Sequence, residues 1–229
     1  MDISDHDVKG IVFDFDGTLV ESTIDYAAMR DSILRVISDY GVPQSLVSRN
    51  KSSADNIIVA LNYLSKLLSH DELIEFEHDI DRESIKIELS EVEKTRPVKG
   101  ACEAIDMLRD RGIRTGILTR GSREYVEKGL NIAGFKFDKR SIVCRNDHRL
   151  NEAKPNPLSM IRAANAIKTP IDKCAYVGDH IMDLRCAKGA GVIFIGVLSG
   201  YNDLERWKGS MVDALLNSVA ELPAALKRP

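Results

Sequence analysis

The segment "IVFDFDGTLV", Ile11 to Val20, ends an apolar run with two carboxylates one residue apart, Asp14 and Asp16, and Gly17 and Thr18 follow at once. Three further polar clusters come later in the chain. Thr119 closes the run "IRTGILT" and Arg120 follows it, Lys154 stands in "KPNP", and "VGDHIMD" carries Asp179 and Asp183. Open parallel sheets bind ligands at the carboxyl ends of their strands, so these clusters are expected to converge on one crevice. Two carboxylates about 4 Å apart repel by roughly 4 kcal/mol at an effective dielectric of 20. A fold tolerates this when a cation sits between them or when one carboxyl keeps a proton. Asp14 with Asp179 offers the hard oxygens that Mg²⁺ prefers, with phosphate and water filling the octahedron. Lys154 adds a charge that can hold a phosphoryl oxygen. The Thr119 hydroxyl and nearby amides, aimed inward by the flexible Gly17, can hydrogen-bond the others, and Thr18 is assigned to the same substrate-binding loop.

Such a set suits phosphoryl transfer. Asp14 is expected to attack phosphorus and become an aspartyl-phosphate. Asp16 is expected to protonate the leaving alkoxide, then take a proton from the water that cleaves the acyl phosphate. Mg²⁺ would neutralise charge as it moves among the oxygens. The like charges stand together because one must be a bare nucleophile while its neighbour carries a proton. Taken singly, Thr119 could simply end a strand and Lys154 could be a solvated loop lysine. Asp183, inside the next helix, could equally be a first-turn dipole or capping partner.

The elements that must position these groups read as alternating strands and helices. "GIVFDF" is apolar on both faces, as a strand covered on both sides should be. From Ser22 the period changes to a helical stripe, with Ser22 and Asp25 fitting a capping box and Gly41 and Pro43 giving the stop. A second helix is expected through "ADNIIVALNYLSKLL". A third runs from about Asp71 toward Thr95, its acidic residues read as a solvated face. Beyond Pro97 come helix "ACEAIDMLRDR", strand "IRTGILT", helix "SREYVEKGLNIAG" and a weaker strand "SIVC". A helix from Pro157 to Ile167, strand "CAYVG", helix "IMDLRCAKGA" and strand "VIFIGV" follow, then a capping box at Ser218 and Glu221. Alternation of this kind implies a parallel sheet with right-handed crossovers. The helical block is too long for one crossover. The expected fold is therefore an α/β, Rossmann-like parallel sheet core, residues 1–19 and 97–229, with an inserted α-helical cap domain, residues 20–96.

Composition narrows the rest. The chain has 229 residues, 44% of them hydrophobic, and a net charge of -3. That balance argues against a nucleic-acid binder. The four cysteines show no metal-ligand spacing and read as core residues in a reducing compartment. The polar, acidic "MDISDHDVKG" lacks the features of a secretory signal, and the longest apolar stretch is too short for a bilayer. A cytoplasmic protein without membrane or nucleic-acid partners, acting on a small-molecule phosphate ester, is expected.

"DFDGTLV", "ILTR", "KPNP" and "VGDHIMD", in that order, resemble the four motifs of the haloacid dehalogenase-like hydrolase superfamily, over nearly the whole chain. "VFDFDGTLVES" with "VGDHIMDLRCAKGAGV" most resembles its phosphoglycolate phosphatase-like branch, which has a small helical cap. The resemblance implies that Asp14 is nucleophile and metal ligand, and that Asp16 is acid/base and lends its backbone carbonyl to the metal. It implies that Thr119 and Lys154 bind the phosphoryl group, that Asp179 completes the Mg²⁺ site, and that Asp183 acts from behind or through water. Arg120 and His180 depart from the commonest branch pattern. Arg120 is open to binding substrate or facing solvent, and His180 to being a loop variation or a partner of a metal ligand. In the cap, Arg49 and Lys51 of "SRNKSS" are candidates for an anionic substrate group, or members of a solvated linker. Two alternatives to a phosphatase stand beside this reading. One is a phosphomutase of the β-phosphoglucomutase type, although the helix after "DGTLV" lacks the histidine such mutases usually carry. The other is a non-catalytic binding protein on the same fold.

Overall fold

Strand β1 (Gly10–Phe13) is buried along its whole length, and its residues alternate between the two faces of the sheet. Ile11 and Phe13 join one apolar cluster with Ile117, Val177 and Ile195. Val12 joins another with Leu118, Tyr176 and Phe194. This period of two, apolar on both faces, is what a central parallel strand needs. The computed structural model describes residues 6–226. After β1 come β2 (Val20–Glu21), α1 (Tyr26–Asp39), α2 (Ser53–Leu64), α3 (His70–Ser90) and β3 (Arg96–Pro97). The core continues with α4 (Ala101–Asp110), β4 (Arg114–Leu118), α5 (Arg123–Ala133), β5 (Ile142–Val143) and α6 (Pro157–Ala166). It ends with β6 (Cys174–Gly178), α7 (Ile181–Gly189), β7 (Ile193–Val197), α8 (Leu204–Trp207), β8 (Ala214–Leu216) and α9 (Leu222–Ala225).

Six strands form one sheet in the order β5-β4-β1-β6-β7-β8, and every pairing is parallel. The expected α/β architecture is therefore present. The order places β1 between β4 and β6, so chain connections leave it in opposite directions and a crevice opens at its carboxyl end. β8, the short helix α8 and the antiparallel ribbon β2–β3 were not expected from the sequence. They are two to four residues long, too short to carry a period.

The three helices between β2 and β3 have an apolar core of their own, including Ile33, Ile37, Leu64, Phe76 and Ile80, which Leu150 joins from outside the block. Several local expectations need correction here. Asp25 alone caps α1, accepting from the amides of Ala27 and Ala28 at 3.0 and 2.9 Å, while the Ser22 hydroxyl lies 3.0 Å from that of Tyr26. α2 ends at Leu64, before the turn at residues 65–68. α3 starts from a reciprocal capping box between Ser69 and Glu72. Its acidic residues are not all solvated: Glu77 and Glu88 are buried. Arginines remote in sequence meet them, Arg149 for Glu77 and Arg145 for Glu88, which a helical wheel cannot reveal. Ser218 caps a short turn, but Glu221 accepts from the Asn217 amide at 3.0 Å instead of completing a box. No helix among the described residues is long and apolar enough to cross a membrane.

Candidate active site

Asp14 follows β1 directly, and its backbone amide donates to the carbonyl of Val177 on β6 at 2.8 Å, which extends the strand pairing by one residue. The chain then turns sharply. The Gly17 amide donates to the Val20 carbonyl at 2.7 Å, with Gly17 at a φ of 77°. A Cβ at Gly17 would lie 2.5 Å from Asp179 Oδ2, so both conformation and space require glycine. The turn leaves Asp14 in the crevice and Asp16 beside α5. Phe15, between them, packs edge-on against Tyr125 of the same helix, with ring centroids 5.7 Å apart.

Lys154 is the centre of the charge arrangement. Its Nζ donates to Asp14 Oδ1 at 2.5 Å and to Asp183 Oδ1 at 2.7 Å, and all three residues are buried. Burial alone would lower the Lys154 pKa; Asp14 and then Asp183 outweigh it and hold the ammonium above its ordinary range. Burial, and then the charges of Asp183 and Asp179, push Asp14 well above the usual carboxylate range against the opposing pull of Lys154. Asp179 is pushed up to about 6 by burial and by Asp183, with the Tyr201 amide opposing. Oxygens of Asp14, Asp179 and Asp183 all lie within 4.8 Å of one another. Three buried carboxylates around a single ammonium leave uncompensated negative charge. A small hard dication would offset it, so this donor set fits Mg²⁺.

Asp16 occupies a second environment. Its Oδ1 accepts from the Tyr125 hydroxyl at 2.6 Å. Burial raises its carboxyl to about 6, and the hydrogen bonds from Tyr125 and Ser22 limit the rise. Asp14 is thus tied to an ammonium and Asp16 to a phenol, one residue apart. Different partners for neighbouring carboxylates are the usual basis for giving them different protonation roles.

The remaining sequence candidates are placed as follows. Thr119 directly follows β4 and is buried, its Oγ1 accepting from the Gly121 amide at 2.9 Å. Thr18 donates to Asp179 Oδ1 at 3.4 Å. Arg120 turns inward rather than to solvent: its Nη1 donates to the Lys154 carbonyl at 2.6 Å. Burial, with Arg145 nearby, lowers its pKa to about 10. Asp183 has the capping role weighed for it, together with a contact to Lys154. It accepts from the His180 amide at 3.1 Å as the helix-capping carboxylate of α7, and it holds Lys154. His180 caps α7, its Nδ1 accepting from the Met182 amide at 3.1 Å. Arg49 pairs with Asp31, Nε to Oδ1 at 3.0 Å, and Lys51 donates to the Leu46 carbonyl at 3.3 Å. Neither meets the carboxylate cluster among the described residues.

The sequence reading passed over the end of β7. There Ser199 donates to the Gly17 carbonyl at 2.8 Å and the Tyr201 amide donates to Asp179 Oδ2 at 2.6 Å. A Cβ at Gly200 would lie 2.1 Å from the same oxygen. "VIFIGV" is a strand followed by Leu-Ser-Gly, and the strand-end rule applied once more would have found it. Tyr125, Tyr176 and Glu88 were also missed. Tyr176 donates to Asp183 at 2.9 Å. Glu88, on α3, accepts from the Ser122 amide at 3.1 Å and pairs with Arg145. Arg145 in turn donates to the Arg120 carbonyl at 2.7 Å.

A family model described as haloacid dehalogenase-like hydrolase matches residues 8–191. The chain belongs to that family. The phosphoglycolate phosphatase of Neisseria meningitidis serogroup A is 25% identical over 223 residues, spanning 94% of this chain and 92% of its own. That of Xanthomonas campestris pv. campestris strain 8004 is 27% identical over 232 residues, spanning 96% of this chain and 98% of its own. Among solved structures, a hydrolase from Pseudomonas syringae superposes with a TM-score of 0.63 at 19% identity, covering 93% of this chain and 95% of that one. The haloacid dehalogenase-like membership accords with the four ordered clusters and with the parallel sheet that carries them.

Proposed function

We propose that this chain is a Mg²⁺-dependent phosphatase that hydrolyses a small phosphate monoester through an aspartyl-phosphate on Asp14. The observation that carries the reading is the Lys154 ammonium held between Asp14 and Asp183 beside a separately partnered Asp16. Relatives named phosphoglycolate phosphatase support the substrate class. An Asp14 oxygen attacks phosphorus as the bond to the ester oxygen breaks. Asp16, protonated, gives its proton to the departing alkoxide. A water then attacks the same phosphorus and passes its proton to Asp16, which frees phosphate and restores the Asp14 carboxylate. Lys154 keeps Asp14 oriented and offers a charge to a phosphoryl oxygen, and the Thr119 hydroxyl and the turn at Gly17 and Thr18 offer hydrogen bonds to the others. Mg²⁺, held by Asp14, Asp179 and the Asp16 carbonyl with Asp183 behind them, would supply charge neutralisation. The block at residues 20–96 acts as a cap that excludes water. Helix α1 carries no histidine, which favours hydrolysis over the phosphomutase alternative.

The test is phosphate release over a panel of metabolite esters, with and without Mg²⁺. Wild-type protein with Mg²⁺ is expected to release phosphate, and Asp14→Asn to lose at least about a thousandfold in kcat. Equal release by both proteins would overturn the nucleophile. Conversion of a hexose 1-phosphate to its 6-phosphate without phosphate release would favour the mutase.

A further inference from the structure

The first turn of α5 is pinned from several sides. The Ser122 hydroxyl accepts from the Tyr125 amide at 3.4 Å as the helix cap, and the Ser122 amide donates to buried Glu88 at 3.1 Å. Just before it, the Gly121 amide donates to Thr119 Oγ1. Tyr125 itself is fully buried. Its ring meets that of Phe15 edge-on, with 83° between the planes, and lies over Gly121, where a Cβ would come within 3.0 Å of it. Phe15 also rests on Gly129 of α5, where a Cβ would stand 2.9 Å from its ring. The turn from Asp14 to Asp16 and the start of α5 therefore form one packed unit, and the Tyr125 hydroxyl is a fixed post within it.

That post has a single use. The hydroxyl donates to Asp16 Oδ1 at 2.6 Å, and no other acceptor meets it among the described residues. Burial, and then the Asp16 charge, hold the phenol far above its ordinary pKa, so its hydrogen is retained. A buried donor without a partner is costly, so that hydrogen stays on the line to Oδ1. An aspartate carboxyl turns readily about χ2, and without a fixed donor either oxygen could take the acid proton. A protonated carboxyl has one acceptor oxygen and one O–H. With Oδ1 claimed as the acceptor, the acid proton belongs on Oδ2. The Ser22 hydroxyl also bonds the Asp16 carboxyl. It can equally turn its hydrogen to the Tyr26 oxygen 3.0 Å away, so it imposes no direction.

We propose that Tyr125 is a positioning residue for the acid step: by holding Oδ1 of Asp16 it directs Oδ2, with its proton, at the ester oxygen that leaves phosphorus. The inference rests on the phosphatase reading and adds to it the residue that orients the acid. In that step a bond forms from an Asp14 oxygen to phosphorus and the bond from phosphorus to the ester oxygen breaks. The electron pair left on the ester oxygen takes the proton from Oδ2. In the second step the water that attacks phosphorus gives a proton back to Oδ2, while the pair of the broken acyl-phosphate bond returns to Asp14. Tyr125 keeps its own proton throughout. Proton transfer needs a donor held at hydrogen-bond distance and in the right direction, so a loosened carboxyl slows the step.

Tyr125→Phe removes one oxygen and keeps the packing on Phe15. The test compares kcat/KM for the fastest alkyl ester of the metabolite panel with that for 4-nitrophenyl phosphate, whose leaving group departs without a proton. This ratio covers the reaction only up to departure of the leaving group, so the later water step does not enter. In Tyr125→Phe the alkyl ester is expected to lose about tenfold or more, and the aryl ester severalfold less. Equal losses on both esters, or none on the alkyl ester, overturn the inference and leave the phosphatase reading standing. Release from no ester overturns the phosphatase reading instead. In that case, and where only one of the two esters is turned over, crystal structures of wild type and Tyr125→Phe decide. An Asp16 carboxyl that turns away from its wild-type orientation supports Tyr125 as its anchor, and one that keeps it overturns the inference.

Discussion

At the residue scale, the Lys154 ammonium stands between Asp14 and Asp183, and burial makes each of the three depend on the others. Breaking a buried ion pair from one side leaves an uncompensated charge, typically at a cost of about 3–5 kcal/mol. Lys154→Met is therefore expected to lower unfolding stability by about that amount in metal-free buffer. Mg²⁺ should restore part of it, as chemical denaturation with and without EDTA would reveal. The carboxyls of Asp16 and Asp179 lead to a pH dependence of unusual sign. Both titrate at about 6 in the folded protein, against an ordinary 3.8, burial being the main cause. Between these values the unfolded chain has released the protons and the folded protein has not, so this contribution to stability falls as pH rises. Each shift corresponds to at most about 3 kcal/mol. Metal-free wild type should therefore lose more of its thermal midpoint than Asp179→Asn between pH 4 and 6. Mg²⁺ should recover the difference at pH 7 by binding the ionised form. Parallel curves for the two proteins would contradict the assignment.

At the element scale, the strand-end turns do the positioning. The turn after β1 and the turn after β7 close on Asp179 from two sides, through Thr18 and through the Tyr201 amide. Gly200 permits that approach, since any Cβ there would overlap the carboxylate. Gly200→Ala is expected to displace Asp179, costing about 1–3 kcal/mol of stability as an overpacked site does. Mg²⁺ affinity should weaken severalfold, measured by calorimetry. Retention of wild-type affinity would mean that Asp179 is not a ligand. Periodicity identified the helices that bury one stripe and the strands that bury both faces. It missed β2, β3 and β8 because two or three residues cannot display a period, and their pairing is decided by neighbours distant in the chain.

At the scale of the whole molecule, α3 is joined to the core by charge as well as by packing. Arg145 pairs with Asp81 and Glu88 on α3 while donating to the Arg120 carbonyl, and Arg120 donates to the Lys154 carbonyl. This continuous path runs from the helical block to the loop that presents the ammonium. Arg145→Met should destabilise the protein by about 3–5 kcal/mol by leaving Glu88 buried without its partner. Pairing it with Glu88→Gln should recover part of the loss, which a double-mutant cycle in urea would measure. Additive losses would mean that the two side chains are not coupled.

The sequence by itself determined the alternating α/β order, the four clusters of Asp14 and Asp16, Thr119, Lys154, and Asp179 and Asp183, and hence the family. Strand periodicity and the position of polar residues just past apolar runs are local properties that any fold of this chain must respect. Tertiary structure decided which charges face which. It placed Lys154 between Asp14 and Asp183, buried Glu77 and Glu88 against Arg149 and Arg145, and gave Tyr125 to Asp16. Those pairings join residues from 29 to 140 positions apart. A short-range pattern carries no information about them, because the energy that selects them is released only when the packed interior excludes water.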